Sequence, residues 1–192
     1  MFVTICGNIG SGKTTVLENL ESNGFDVKFE PVHKWTYLSK FYKDMKKYAF
    51  SLQMQILKSF LSYTNTNKKV PIVCERSPQE SFQVFSSHLY KNNFLELEQF
   101  RIIRFFTNTY AWKPDVYIYI RTDPSVCLSR IQSRNRDSEN NITLDYIKEL
   151  HESYDNFSRI NKIIHIIDGS KSREDVYNEV RQIMEEIINN RT

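Results

Sequence analysis

Five short segments of the chain are almost continuously apolar, and each is rich in β-branched or aromatic residues. They occupy residues 2–6, 25–29, 70–74, 116–120 and 163–167. Strands that are covered on both faces lose the usual alternation of apolar and polar residues, which is typical of parallel sheets. The pattern therefore predicts five parallel strands.

Segments with helical spacing separate these strands. Near the end of the chain, Val176, Val180 and Ile183 recur at intervals of four and three residues and predict an amphipathic helix. Two longer stretches, 42–63 and 94–112, predict helices that connect outside the sheet. The regular alternation of strands and helices predicts an α/β fold, a five-stranded parallel sheet with helices on both faces.

Length and composition indicate one ordinary globular domain, covering residues 1–192. With 40% hydrophobic and 26% charged residues, the chain cannot be a collagen, a disordered tail or a disulfide-rich miniprotein. The formal net charge of +3 is too small to indicate a nucleic-acid partner. Any basic binding site must therefore be local.

The three cysteines, Cys6, Cys74 and Cys127, are widely spaced in apolar surroundings and lack the spacing of a zinc site. We expect them to be buried, reduced thiols in a cytoplasmic protein. No charged leader precedes the first predicted strand, and no apolar run approaches the ~20 residues of a membrane span. We therefore expect no membrane partner.

Glycines are concentrated near the start of the chain, where three of the five occur in the sequence Gly7-Asn8-Ile9-Gly10-Ser11-Gly12-Lys13-Thr14. This sequence matches the phosphate-binding loop G-x-x-x-x-G-K-[ST], and it lies between a predicted strand and a predicted helix, as that motif requires. Backbone N–H groups would bind phosphate oxygens, with Lys13 on the outer phosphates and Thr14 on Mg²⁺. We expect residues 7–14 and the following Thr15 to bind ATP.

The acceptor must be identified elsewhere, because GTPases, motor ATPases, and nucleotide and metabolite kinases all share this loop. Glu30 follows the second predicted strand, and Glu75 and Arg76 follow the third. Ligands of a parallel sheet bind beyond the carboxyl ends of its strands. We therefore expect both glutamates and the arginine beside the P-loop.

The sequences around these residues resemble the deoxynucleoside kinase family, which includes deoxycytidine, deoxyguanosine and mitochondrial thymidine kinases. The resemblance rests first on Glu30-Pro31-Val32-x-x-Trp35 and Glu75-Arg76-Ser77. It continues in Tyr42-x-Asp44, Gln53, Cys127-Leu128-x-Arg130-Ile131, Arg134-x-Arg136-x-x-Glu139 and Leu144-x-Tyr146. It extends from Gly7 to about Asp168 and implies a P-loop kinase fold with an arginine-rich lid at about residues 130–141.

The resemblance implies specific roles at the phosphates. Glu30 would be the general base on the 5′-hydroxyl of the nucleoside, Arg76 would lie beside that oxygen and keep Glu30 ionised, and Lys13 would complete the catalytic set. Glu75 would join Thr14 in holding Mg²⁺. The resemblance also implies ATP contacts from the lid arginines Arg130, Arg134 and Arg136, which would bind the phosphates. It implies a further ATP contact from Asp168, at the end of the fifth predicted strand.

The resemblance also implies a nucleoside pocket. Tyr42 and Glu139 would hold the sugar 3′-hydroxyl, and the amide of Gln53 would read the edge of the base. The remaining substrate contacts would surround the base. Three of them would form aromatic walls, namely Trp35, Phe82 and Phe85, and the other two are Leu52 and Ser81.

Two positions depart from part of the family. Purine-preferring members and deoxycytidine kinases have an arginine seven residues after the base-reading glutamine and an aspartate five residues after the ERS arginine. This chain has Phe60 and Ser81 there. Without that charged pair the pocket resembles those of the thymidine-accepting members, which are small and uncharged at the second position. The resemblance therefore implies pyrimidine deoxynucleosides, thymidine above all, although Phe60 is bulky.

The P-loop and the family resemblance together imply an enzyme that phosphorylates a deoxynucleoside at its 5′-hydroxyl with ATP and Mg²⁺, in nucleoside salvage. The first alternative is a nucleoside monophosphate kinase, thymidylate kinase in particular, which shares the P-loop, sheet and arginine lid. The second is a P-loop regulator that binds nucleotide without phosphorylating a metabolite. The resemblance further implies a homodimer, formed through helices packed beside the sheet.

Overall fold

The computed structural model describes residues 1–63, 70–136, 139–161 and 164–190. Its centre is a five-stranded sheet in which every neighbouring pair of strands is parallel. In spatial order the strands are β2 (Asp26–Lys28), β3 (Ile72–Glu75), β1 (Phe2–Cys6), β4 (Val116–Arg121) and β5 (Ile164–Asp168). The five predicted parallel strands are therefore confirmed.

The ends of the strands differ slightly from the prediction. The third strand begins at Ile72 because Pro71, which has no N–H to donate, stands just before it. The predicted loop at 65–69 and residue 163 of the fifth predicted strand lie outside the described residues.

Nine helices are described, with a short 3₁₀ turn at Val32–Lys34. The sheet is accompanied by α1 (Lys13–Ser22), α7 (Pro124–Arg134), α8 (Leu144–Ile160) and α9 (Arg173–Asn189). The others are α2 (Leu38–Lys43), α3 (Met45–Leu61), α4 (Pro78–Glu80), α5 (Ser87–Lys91) and α6 (Leu97–Tyr110), with a π-helical segment, Ser81–Ser86, between α4 and α5.

The helices cover both faces of the sheet, as predicted. On one face α1 and α9 pack against the strands, with Leu17 and Val180 in contact with the same buried cluster as Ile5. On the other face α8 contributes Leu150 and Tyr154 to a second buried cluster. The three central strands β3, β1 and β4 are thus buried on two sides, which explains their continuous apolar character, whereas the edge strands β2 and β5 keep exposed residues such as Asp26 and Ile166.

A third apolar cluster lies away from the sheet and is built from α2, α3, α5 and α6, together with Trp35. The predicted helices at 42–63 and 94–112 correspond to α3 and α6. The first starts later than predicted because Asp44 accepts a hydrogen bond from the backbone N–H of Lys47 and caps α3, so the preceding residues form the separate α2.

The three cysteines are buried and unpaired, as predicted. Burial raises the pKa of Cys74 to about 12 and that of Cys127 to about 11, so both stay protonated near neutral pH. None of the described helices is long and apolar enough to cross a lipid bilayer.

Candidate active site

The P-loop connects β1 to α1 and depends on its glycines. Gly7, Gly10 and Gly12 all have positive φ angles, of 150°, 78° and 101°. A Cβ atom on Gly10 would stand 2.4 Å from the carbonyl oxygen of Cys127, too close for any side chain. The loop therefore needs glycine both for its backbone angles and for the tight approach of α7.

Lys13 begins α1 and turns back over the loop. Its Nζ donates hydrogen bonds to the carbonyl oxygens of Gly7 and Asn8, at 3.0 and 2.8 Å. Burial, with the positive charge of Arg76 nearby, lowers the pKa of Lys13 from 10.5 to about 8. Asn8 ties the same loop to α8, because its amide donates to the carbonyl of Ile147 at 2.9 Å.

Glu75 joins two of the predicted elements at the carboxyl edge of the sheet. Its Oε1 accepts from the hydroxyl of Thr14 at 2.7 Å, and its Oε2 accepts from the backbone N–H of Glu30 at 3.2 Å. The hydroxyl and the carboxylate together form a pair of hard oxygen donors. Mg²⁺ is usually held by one or two such groups and by substrate phosphates, so these residues fit the predicted metal.

Arg76 and Glu30 form a salt bridge beside the loop. The Nε of Arg76 lies 3.0 Å from Oε1 of Glu30, and the two side chains are only 7% and 10% exposed. Burial raises the pKa of Glu30 to about 7, although the charge of Arg76 acts in the opposite direction. Arg76 also has a φ of 64°, a left-handed backbone conformation that is uncommon outside glycine and frequent at functional sites.

One cavity of about 1040 Å³ opens at this edge of the sheet. Its walls contain Glu30, Glu75, Arg76 and residues 9–15 of the P-loop. They also contain seven of the eight side chains predicted for the nucleoside pocket, namely Trp35, Tyr42, Leu52, Gln53, Ser81, Phe85 and Glu139. The structure thus brings most of the predicted phosphate and nucleoside residues into one continuous space.

Gln53 is held in the wall by serines of the π-helical segment. Its Oε1 accepts a hydrogen bond from the hydroxyl of Ser86 at 3.0 Å and lies 3.5 Å from that of Ser81. Phe85, in the same segment, has the guanidinium of Arg76 over its ring at 4.7 Å. The π-helical segment therefore orients the amide of Gln53 and an aromatic side chain of the cavity wall together.

The predicted lid arginines line the cavity but have different partners. Arg130 donates to the carbonyl oxygens of Ser11 and Gly169, each at 3.2 Å. Arg134 grips Glu139 with two hydrogen bonds of 2.7 and 2.8 Å, and Arg136 lies 3.7 Å from the same carboxylate. Residues 137 and 138 of the predicted lid lie outside the described residues.

Five residues named from the sequence lie outside the cavity wall. The carbonyl oxygens of Gly7 and Asn8 bind Lys13 instead, and the carboxylate of Asp168 accepts from the backbone N–H of Ser170 at 2.9 Å. Phe82 stacks on Phe100, and Phe60 is fully buried against Tyr63 and Trp112. The wall residue of α3 nearest Phe60 in sequence is Ile56.

Several cavity residues have no role assigned to them by the sequence. Tyr146 of α8 lines the acceptor side, and Gly169, Lys171 and Arg173 follow β5 at the phosphate side. The strand-end argument that identified Glu30 could have found the last three. At the end of β5 the resemblance implies Asp168 instead, whereas the residue that lines the cavity there is its neighbour Gly169.

Two different kinds of wall therefore meet in one cavity. Its P-loop end is basic and rich in backbone N–H groups, which suits a polyphosphate, whereas its other end is aromatic and carries one oriented amide. A buried carboxylate–arginine pair stands where the two meet. The fold and the cavity define a P-loop phosphotransferase for a small acceptor that carries a planar ring.

Comparison with known proteins gives the family. A family model described as deoxynucleoside kinase matches residues 3–190. The chain belongs to the deoxynucleoside kinase family, and it is an enzyme that transfers a phosphoryl group to a nucleoside. This result favours a nucleoside over a nucleoside monophosphate as the acceptor.

Individual relatives cover almost the whole chain. A kinase protein of Invertebrate iridescent virus 6 is 35% identical over 185 residues, which are 93% of this chain and 94% of the relative. The thymidine kinase of Ictalurid herpesvirus 1 is 30% identical over 197 residues, 93% of this chain and 83% of the relative. Further relatives are named as kinases of deoxycytidine, deoxyguanosine and deoxyadenosine, so their names include both pyrimidine and purine substrates.

A solved structure has the same fold. The deoxyadenosine kinase from M. mycoides, with its products bound, superposes on this chain with a TM-score of 0.87 and 24% identity. The match covers 97% of this chain and 100% of that one. The P-loop kinase fold with a five-stranded parallel sheet is therefore confirmed.

Proposed function

We propose that this kinase transfers the γ-phosphoryl group of ATP to the 5′-hydroxyl of a pyrimidine deoxynucleoside, thymidine above all. The observation that carries the proposal is the Arg76–Glu30 pair, which lies in one cavity with the P-loop and the aromatic pocket. A sugar bound in that pocket would present its primary alcohol between the pair and the phosphates. The product is a deoxynucleoside monophosphate, as a salvage enzyme would supply for DNA synthesis.

Glu30 is the group suited to accept the proton of the hydroxyl. A general base works best when its pKa is near the working pH, and the pKa of Glu30 is raised to about 7. The N–H of Arg76 on its Oε1 fixes the direction of the carboxylate. The same guanidinium can bind the 5′-oxygen as negative charge develops there.

Thr14 and Glu75 are the residues that would hold Mg²⁺. Bound there with the triphosphate, Mg²⁺ supplies positive charge that offsets the negative charge of the transferring phosphoryl group. Lys13 and the lid arginines Arg130, Arg134 and Arg136 would bind phosphate oxygens and keep water away from the transfer. Phosphoryl transfer needs positioning and charge neutralisation more than covalent help, and these groups provide both.

The preference for a pyrimidine rests on the uncharged wall around Gln53. Ser81 lines the cavity, while the bulky Phe60 is turned into the core, so Phe60 does not narrow the base pocket. No arginine of α3 or aspartate of the π-helical segment faces Gln53, because those segments contain neither residue type. A neutral pocket can accept the carbonyl groups of thymine without leaving a charge unpaired.

The test is an acceptor panel assayed with ATP and Mg²⁺. We expect thymidine and deoxycytidine to be phosphorylated with higher kcat/KM than deoxyadenosine or deoxyguanosine, and thymidine to be a far better acceptor than its 5′-monophosphate. Omission of Mg²⁺ should abolish turnover. A preference for purines would contradict the pyrimidine proposal, and transfer to thymidine monophosphate alone would support the monophosphate kinase alternative.

We also propose that two copies of the chain form a homodimer. An apolar stripe on α6 supports this, since Ile102, Phe105 and Tyr110 are 41%, 55% and 61% exposed. Buried, reduced thiols support the further proposal of a cytoplasmic location.

A further inference from the structure

The guanidinium of Arg76 is held at its far edge by a buried carboxylate and a buried phenol. One terminal nitrogen, which carries two N–H groups, donates to Oε1 of Glu80 at 2.9 Å and also contacts the hydroxyl of Tyr154 and the carbonyl oxygen of Gly7 as a donor. Tyr154 donates its own proton to the same Oε1 of Glu80 at 2.6 Å. Glu80 and Tyr154 are both 0% exposed. The contacts form a closed network that joins β3, α4, α8 and the P-loop.

The two edges of this guanidinium face different carboxylates. Nε points at Glu30, while the terminal nitrogen at the opposite side contacts Glu80 and Tyr154. Because a guanidinium is planar and rigid, holding one edge determines where the other edge points. The ring of Phe85 lies against the guanidinium, with 4.7 Å between ring centre and Cζ, and restricts tilting of the plane.

The hydrogen bonds of the Glu80 carboxylate differ from those expected of a buried carboxylate that only supports the fold, which would have partners on both oxygens. Burying a carboxylate is costly, and buried polar atoms are normally all paired. Both hydrogen bonds to Glu80 converge on Oε1, and Oε2 has no partner among the described residues. The contacts of this buried side chain are therefore directed at Arg76 and at the phenol that shares it.

We propose that Glu80 and Tyr154 are positioning residues that fix the guanidinium of Arg76 so that its Nε meets Glu30. The proposal rests on the proposed role of the Arg76–Glu30 pair. Neither residue lines the cavity, so neither needs to touch a substrate. Loosening them should misplace the pair during transfer and leave the binding of nucleoside and ATP largely intact.

The first test is the steady-state kinetics of Tyr154→Phe and Glu80→Gln. Each variant keeps the shape of the side chain. We expect kcat to fall about 10- to 100-fold, because small displacements of reacting groups slow the reaction strongly. KM for nucleoside and for ATP should change by less than about threefold. Glu80→Ala, which removes the acceptor altogether, should lose more activity than Glu80→Gln, so that the conservative variant gives partial rescue.

Tyr119→Phe is the matched control. Tyr119 is equally buried and stacks on Tyr154 with 5.6 Å between ring centres, but its hydroxyl faces Asp155 at 3.4 Å and not Arg76. We expect its kcat to equal that of the unmodified enzyme. If Tyr119→Phe and Tyr154→Phe lose activity equally, the effect comes from packing and the proposal is wrong.

The second test is a double-mutant cycle with Arg76→Lys. A lysine cannot present two fixed edges. Adding Tyr154→Phe to Arg76→Lys should therefore reduce the rate constant of transfer, measured in single-turnover assays, by less than about twofold further. Multiplicative losses would overturn the proposal, because they would mean that Tyr154 does not act through Arg76. Should Glu80→Gln fail to fold, the Tyr154→Phe cycle decides alone. An unmodified enzyme without nucleoside kinase activity would instead contradict the proposed function.

Discussion

The carboxylate of Glu30 owes its chemistry to two opposing effects. Burial disfavours its charged form and raises its pKa, whereas the positive charge of Arg76 at 3.0 Å favours that form. Without the arginine the acid would stay protonated in this environment, and without burial it would be a weaker base. The side chain can therefore accept a proton at neutral pH only as a member of the pair.

We predict that Glu30→Gln lowers kcat by about two to four orders of magnitude, the usual contribution of a general base. The amide has the shape of the acid but cannot take the proton, so KM for the nucleoside should stay nearly unchanged. Measurement of kcat and KM with ATP and thymidine checks this. Asp26→Asn, at the exposed start of the same strand β2, is the control and should keep full activity.

Turnover of Glu30→Gln at the unmodified rate would show that another group accepts the proton. A rise in KM with kcat unchanged would mean that Glu30 only binds the sugar.

The π-helical segment Ser81–Ser86 combines two residues of the predicted nucleoside pocket with the serine that holds the amide of Gln53. A π-turn widens the helix and is frequently found at functional sites. Here Ser81 and Phe85 line the cavity, while Ser86 donates to Gln53. A regular α-helix would rotate these positions relative to one another, so the orientation of the Gln53 amide depends on the irregularity.

We predict that Ser81→Asp shifts base preference from thymidine toward deoxycytidine. A carboxylate accepts hydrogen bonds and cannot donate them, so it suits the amino group of cytosine and disfavours the carbonyl of thymine. The ratio of kcat/KM for deoxycytidine to that for thymidine should rise about tenfold or more. Ser81→Asn is the control, because asparagine has nearly the size of aspartate but no charge, and it should change the ratio much less. If the ratio is unchanged in both variants, the base does not bind beside Ser81.

The contact between α5 and α8 should make stability depend on pH. His88 of α5 is buried beside Tyr146 and Glu149 of α8, and burial lowers its pKa below the ordinary 6.5. Of the two nearby charges, Glu149 raises this pKa and Lys91 lowers it. As the pH falls below 6.5, the unfolded chain binds a proton on this side chain more readily than the folded one.

The stabilisation from neutral His88 is therefore present above pH 6.5 and is lost as the pH falls through the window below it. We predict that the Tm of the unmodified protein drops more steeply between pH 7 and 5 than that of His88→Gln. Thermal unfolding at a series of pH values checks this. His165→Gln, at an exposed histidine of β5, should show the unmodified slope; equal slopes in all three proteins would contradict the prediction.

Elements with a local signal could be predicted from the sequence, and those that depend on distant contacts could not. The five strands and the P-loop have continuous apolar runs or fixed glycine spacing, and Glu30 and Arg76 follow from strand order. The partnership of Glu80 with Tyr154 joins residues 74 positions apart and needed the packing of α8 against the sheet. The position of Phe60 in the core could not be predicted, because the offset from Gln53 along the sequence does not tell which face of α3 meets the cavity.

Charge is distributed unevenly over the whole protein. Among the described residues that line the cavity, seven are lysine or arginine and three are glutamate. That local excess exceeds the net charge of +3 for the complete chain, so the charges of the remaining residues nearly cancel in sum. Positive charge is thus concentrated where a triphosphate would bind, and it favours the approach of anions to this opening.

The apolar stripe on α6 lies beside the helical cluster that forms the acceptor side of the protein. Ile102, Phe105, Phe106 and Tyr110 lie on one side of the helix, and the three aromatic rings contact one another with centres 5.6 to 6.0 Å apart. Such a patch of ordered aromatic surface is costly to leave in water and suits a second copy related by a two-fold axis, since each stripe would then cover the other.

We predict that the unmodified protein elutes from gel filtration at the mass of two chains and that Phe105→Glu elutes at the mass of one. The glutamate would put a charge at the centre of the contact, where pairing of the two stripes would bury two like charges. Arg104→Glu, at an exposed position of α6 outside the stripe, should leave the dimer intact. An unmodified protein that elutes as a single chain at micromolar concentration would contradict the dimer. If Phe105→Glu stays dimeric, the copies meet through another surface.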